Sequence, residues 1–93
     1  MNLRSVIKEE KNFNSVKPGD VGEDYGGREG EVVAKGKGKV GLNKFKRAQG
    51  YDDIKDLIDS GDIDAKNVEL VVVEVPGEQG QILYVYGDDG FVV

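Results

Sequence analysis

The run "NVELVVVEV" at residues 67–75 constrains this 93-residue chain more than any other segment. Successive side chains of an extended strand alternate across a sheet, so Leu70 and Val72 point to one side and Val71 and Val73 to the other. Apolar residues on both sides mark a central strand with both faces covered. A chain this short is one domain and buries only about 60 to 65 percent of the surface that its unfolded form exposes. Covering two faces therefore uses most of its apolar residues, and little volume remains for an enclosed active site.

Two further β-branched and aromatic runs follow, "QILYVY" and "FVV", separated from the first and from each other by "PGEQG" and "GDDG". Strand-forming runs punctuated by glycine, proline and aspartate predict a C-terminal antiparallel meander. Tyr84 and Tyr86 share one face of the second run, where sheet packing explains them better than a base-stacking platform beside Asp88 and Asp89. Upstream, "EVVAKGKGKVGL" offers β-prone pieces at residues 31–35 and 39–42, and Gly36 and Gly38 suit a tight turn between them. A lysine-rich hairpin is the expectation.

Helical spacing appears twice. Phe45, Ala48, Tyr51, Ile54, Leu57 and Ile58 recur at helix period, with Gly61 placed just past the end. At the N-terminus, Leu3, Val6 and Ile7 form one stripe of a short amphipathic helix that Asn2 can cap. Between this helix and the core lies "NSVKPGDVGEDYGGREG", with five glycines and no period, to be ordered only by what it touches. The sequence thus predicts a single α+β domain over residues 1–93. Residues 1–30 form the first of two short helices and a glycine-rich arm, and residues 31–93 form the folded core of meander, lysine-rich hairpin and second helix.

Composition removes several kinds of chemistry. The chain has no cysteine and no histidine, which excludes disulfides, thiolate or imidazole metal sites, and nucleophile–imidazole pairs. Carboxylates, lysines and tyrosines remain. The four residues "YGDD" at 86–89 resemble the metal-binding hairpin of viral RNA polymerases and reverse transcriptases, but that chemistry uses two divalent ions, a third carboxylate and a far larger palm. Asp88 and Asp89 read as turn residues. The text "GKGKVG" fits G-x-G-x-x-G at Gly36, Gly38 and Gly41, without the repeated βαβ units that a dinucleotide site requires. In "DDIKDLIDSGDID" the acids lack EF-hand spacing, and Asp52, Asp56 and Asp59 form the solvated face of a helix. No cofactor, metal or small-molecule substrate is expected.

"KPGD" followed by "GGREGEVVAKG" resembles the KOW motif, the SH3-like element of ribosomal proteins and transcription elongation factors. The resemblance rests on Gly19, Asp20, Gly27, Gly30, Val32 and Val33, and covers residues 17 to about 40. It implies an SH3-like barrel element and, as partner, RNA or an RNA-bound machine. The intervening "VGEDY" departs from the alternating strand found there, being shorter and more acidic.

Charge is divided along the chain. Residues 28–47 hold seven basic side chains against Glu29 and Glu31, whereas residues 51–93 hold eleven acids against Lys55 and Lys66. The basic segment, comprising Lys35, Lys37, Lys39, Lys44, Phe45, Lys46 and Arg47, is the candidate partner-binding site. Its alternative role is solubility, or attraction to the acidic helix that follows.

With no apolar run near the roughly 18 residues that span a bilayer and no signal-type stretch, a cytoplasmic protein without membrane contact is expected. For a phage-encoded protein this becomes the host cytoplasm or the virion. The reading is a small non-enzymatic protein that docks on a larger protein assembly, as accessory, inhibitory or structural proteins of phages and mobile elements do. The alternative is a KOW-like nucleic-acid-binding module using the basic segment.

Overall fold

A computed structural model describes residues 11–87 and 90–93. Its centre is the valine-rich run, which forms β3 (Glu69–Glu74). With β1 (Val21–Glu23), β2 (Glu29–Lys37) and β4 (Ile82–Val85) it builds a four-stranded antiparallel meander in the order β1-β2-β3-β4. The expected division of β3 holds. Leu70 and Val72 enter one core cluster with α1 (Gly38–Lys44) and α2 (Tyr51–Asp59), through Leu42, Tyr51, Ile54 and Ile58. Val71 and Val73 enter a second cluster on the opposite face, with Phe13, Val16, Val32 and Phe91. Two helices and an antiparallel sheet make an α+β domain. The sheet is open, and no SH3-like barrel closes.

The lysine-rich hairpin does not form. Residues 29–37 are one continuous strand, and Gly38 starts a helix instead of a second strand. Gly36 and Gly41 explain why. A side chain on Gly41 would stand 2.6 Å from the Gly36 carbonyl carbon, and one on Gly36 would stand 2.8 Å from the Gly41 Cα and 3.0 Å from the Phe45 ring. The glycines let helix and strand touch backbone to backbone, while Gly38 (φ +69°) supplies the left-handed junction between them.

Within β2 the register shifts between Val32, opposite Val73, and Ala34, opposite Val72. This bulge reverses the alternation, sending Lys35 to the Val71 face and Gly36 to the helix face.

The glycine-rich arm is ordered by the chain's own sheet, so the core begins well before residue 31. Residues 17–20 form a turn with Pro18 at its second position and Gly19 (φ +99°) at its third, closed by the Asp20 N–H donating to the Lys17 carbonyl at 3.1 Å. The Asp20 carboxylate accepts the Lys17 N–H at 3.1 Å and the Lys11 ammonium at 3.1 Å. Asp24 then organises the β1–β2 turn, its Oδ1 accepting the N–H groups of Gly26 (2.9 Å) and Arg28 (3.0 Å). Short aspartate side chains thus replace the periodicity that the arm lacks. Phe13, in a 3-10 turn over Phe13–Ser15, and Val16 are buried in the second cluster. The helix expected from Leu3, Val6 and Ile7 lies outside the described residues, as do Asp88 and Asp89.

The second expected helix is shorter than its pattern. Phe45 and Ala48 lie in the connection after α1, and α2 runs only over Tyr51–Asp59. It ends as the sequence implied: Gly61 adopts φ +89°, its N–H donates to the Ile58 carbonyl and the Asp62 N–H to the Leu57 carbonyl.

The last apolar run departs from the expected third meander strand. Phe91 bridges Tyr86 in parallel and Val92 bridges Glu23 of β1 antiparallel. This path carries the fully buried Phe91 ring across the second face, where it stacks on Tyr84 at 5.5 Å. Tyr86 donates to the Lys11 carbonyl at 2.7 Å and accepts the Val93 N–H at 3.2 Å. Both tyrosines belong to the sheet, as their shared face implied.

Tyr84 also ties β4 to the β1–β2 turn, its hydroxyl donating to Asp24 Oδ2 at 2.8 Å. This bond, followed by the Arg28 and Gly26 amides, lowers the Asp24 pKa. Burial, reinforced by the same carboxylate, pushes Tyr84 up to about 12.

The sign follows from each direction. A lowered carboxylate stabilises the fold above its unfolded pKa and loses that contribution as pH falls through the folded one. A raised phenol stabilises below its unfolded value and loses the contribution as pH rises toward about 12. Tyr84→Phe is expected to lower stability by about 1 kcal/mol near neutrality, a modest figure because Asp24 is half-exposed. Urea titrations across pH should show the deficit vanishing at both extremes; a constant deficit would assign the loss to packing.

Candidate partner-binding surface

The fold separates the basic segment into two groups. On the second face, Lys35 Nζ donates to the Phe13 carbonyl at 2.8 Å and the Asn14 carbonyl at 3.3 Å, and sits 4.9 Å from the centre of the Phe13 ring. It anchors the N-terminal turn and is withdrawn from the surface set. Lys37 shares that face, opposite Glu69 in the register. Phe45 is half-buried against the helix-side core and packs on Gly36. It is not an exposed aromatic available for stacking.

The second group lies around α1. Gly38, Gly41 and Leu42 form the buried side of that helix, and Lys39, Val40, Asn43 and Lys44 are exposed. Lys46 and Arg47 extend the cationic surface into the following turn. Val40 is 73% exposed, which leaves an apolar point among cations. Among the described residues, Lys37, Lys39, Lys44, Lys46 and Arg47 form no ion pair or side-chain hydrogen bond. The described ion pairs are Lys11–Asp20, Arg28–Glu78 and Lys55–Asp59. Attraction to the acidic α2 therefore produces no ion pair between described residues. The exposure of Val40 was the feature that sequence reasoning missed, because reading residues 39–42 as a strand concealed the helical stripe.

The G-x-G-x-x-G text does sit at a strand-to-helix junction, but its amides are occupied. Gly38 N–H donates to the Val68 carbonyl at 2.8 Å and Lys39 N–H to the Ala65 carbonyl at 3.1 Å. A phosphate would have to displace both. The three glycines act in packing and in the turn into α1.

Acidic side chains line two grooves, and a third brings Arg47 together with Glu74 and Glu78. One groove, of about 450 Å³, runs past Val21, Glu29, Glu31, Glu74 and Glu78, and Glu31 stands directly opposite Glu74 in the sheet. A second, of about 510 Å³, lies between α2 and β4; Ile54, Leu57, Ile63, Leu83 and Val85 supply its apolar lining and Asp53 and Asp62 its charges. Among the described residues no group of three or more acids is arranged to hold a metal ion, and no helix is long and apolar enough to cross a membrane. The chain matches no protein-family model, no curated protein and no solved structure.

Proposed function

We propose that this protein is a non-enzymatic docking protein that binds an acidic face of a larger protein assembly through the outer side of α1. The observation that carries this reading is the exposed Val40 framed by Lys39 and Lys44, neither of them paired among the described residues. An apolar centre within a charged rim is the anatomy of a protein interface. The acidic remainder of the chain would repel a long polyanion wherever the two come within the Debye length of about 8 to 10 Å.

A second reading, a nucleic-acid-binding module, draws on the same unpaired cations and on the KOW-like order of turn, short strand, glycine turn and strand over residues 17–37. Two changes separate the readings. Val40→Ser removes apolar contact without altering charge and is expected to weaken capture of the partner from the native host about tenfold, while leaving any binding to phosphate intact. Replacing Lys37, Lys39, Lys44 and Lys46 together by Gln should weaken both. If log affinity instead falls with log salt at a slope of about −4 and Val40→Ser has no effect, the nucleic-acid reading replaces the first.

A further inference from the structure

We infer that the groove between α2 and β4 receives the α1 face of a second copy of this chain. The inference rests on α1 being the docking face and names one partner for it. The groove presents Leu57, 40% exposed, with Ile54, Ile63, Leu83 and Val85 behind it and Asp53 and Asp62 alongside. The α1 face is its converse: Val40 flanked by Lys39 and Lys44. Apolar centre meets apolar floor, and cations meet carboxylates.

Three observations favour a contact between copies over one within the chain. The cations of α1 make no ion pair with α2 among the described residues, although the two helices are consecutive. Lys55, the one cation within α2, is held by Asp59 at 3.0 Å and its pKa is raised by that carboxylate, so it does not neutralise Asp53 or Asp62. The β4 edge beside the groove is already used, since Leu83 N–H donates to the Gln49 carbonyl at 2.8 Å and Gln49 N–H to the Gln81 carbonyl at 2.8 Å. An arriving segment therefore binds by side chains, as a helix face does, and not by adding a strand. Each copy carries one face and one groove, so the contact can be made reciprocally or head to tail.

Charge reversal tests this directly. Sedimentation of the full chain up to about 1 mM should show reversible self-association that weakens as salt is raised. Lys39→Glu with Lys44→Glu, and separately Asp53→Lys with Asp62→Lys, should each weaken it by about tenfold or more. A one-to-one mixture of the two variants should restore it, because each face then meets a groove of opposite sign.

Asp52→Lys with Asp56→Lys alters exposed α2 residues that do not line the groove, and this variant alone should self-associate as the unaltered chain does. A photo-crosslinker at position 40 should label Leu57 or Ile63 of another copy. A chain that stays monomeric throughout, or an Asp52/Asp56 variant weakened as much as the Asp53/Asp62 variant, overturns the inference. Loss of host-partner capture in the Lys39/Lys44 variant would in that case leave the α1 docking reading standing. Self-association that persists in that variant removes the self-docking contact, and host-partner capture that also persists removes the α1 docking reading.

Discussion

Gly41→Val should unfold most of this domain at 37 °C, and Gly41→Ala should lower its stability by about 2 kcal/mol. Two effects oppose one another at this position. Alanine in a helix is favoured over glycine by about 1 kcal/mol. Its Cβ, however, would lie 2.6 Å from the Gly36 carbonyl carbon and 2.9 Å from the Gly36 Cα, both backbone atoms of β2 with no rotamer to move. Separating α1 from the strand would open the core around Leu42 and Phe45, and overpacking of this kind costs about 1 to 3 kcal/mol for a single methyl. The clash outweighs the propensity gain.

In a domain this small, 2 kcal/mol corresponds to a fall in Tm of roughly 10 °C. Thermal unfolding followed by circular dichroism measures it. Asn43→Ala, on the exposed side of the same helix, is the control and should be neutral or slightly stabilising. An unchanged or raised Tm for Gly41→Ala would show that α1 does not rest on β2 at Gly36.

The same pair of glycines shows why part of this fold was legible in the sequence and part was not. β3 could be read because its information is local: four consecutive apolar residues, each assigned to a face by alternation, and the structure divides them between two clusters in that way. The end of α2 could be read for the same reason, since Gly61 needs only its own φ to close the helix. Gly36 and Gly38 looked like a turn because glycine reports permissiveness without naming its use. Gly38 uses positive φ to enter a helix, whereas Gly36 provides space for a residue five positions later.

Long-range pairings left no local trace. Val92 bridges Glu23, and the Asp24 carboxylate that shapes its own turn is also held by Tyr84, sixty residues away. The candidate surface followed the same rule. Its charge was visible as a run of lysines, but the removal of Lys35 to the Phe13 side depends on the bulge in β2, and the exposure of Val40 depends on α1 being a helix.

The second large effect is expected at Phe91. Phe91→Ala should lower stability by about 3 to 5 kcal/mol, the range for truncating a buried aromatic. The reason is architectural. One face of the sheet is covered by two helices, but the other has no α-helix among the described residues. It is sealed by Phe13 and Val16 from the N-terminal side and by Phe91 from the C-terminal side, over Val32, Val71 and Val73.

Phe91 is fully buried and stacks on Tyr84, so its loss opens a cavity that this thin layer cannot fill. Total stability for a domain of this class is about 5 to 15 kcal/mol, which places the variant near its unfolding threshold at 37 °C. Phe91→Leu retains most of the volume and should lose only about 1 to 1.5 kcal/mol, keeping the experiment measurable.

Coupling provides the sharper test. Truncating Phe13 to Ala alone should also be severe, but Phe13 and Phe91 cover one shared surface, so the double variant should lose less than the sum of the two. Strict additivity in urea titrations would mean that the two rings seal separate regions, and that the second face is not one continuous core.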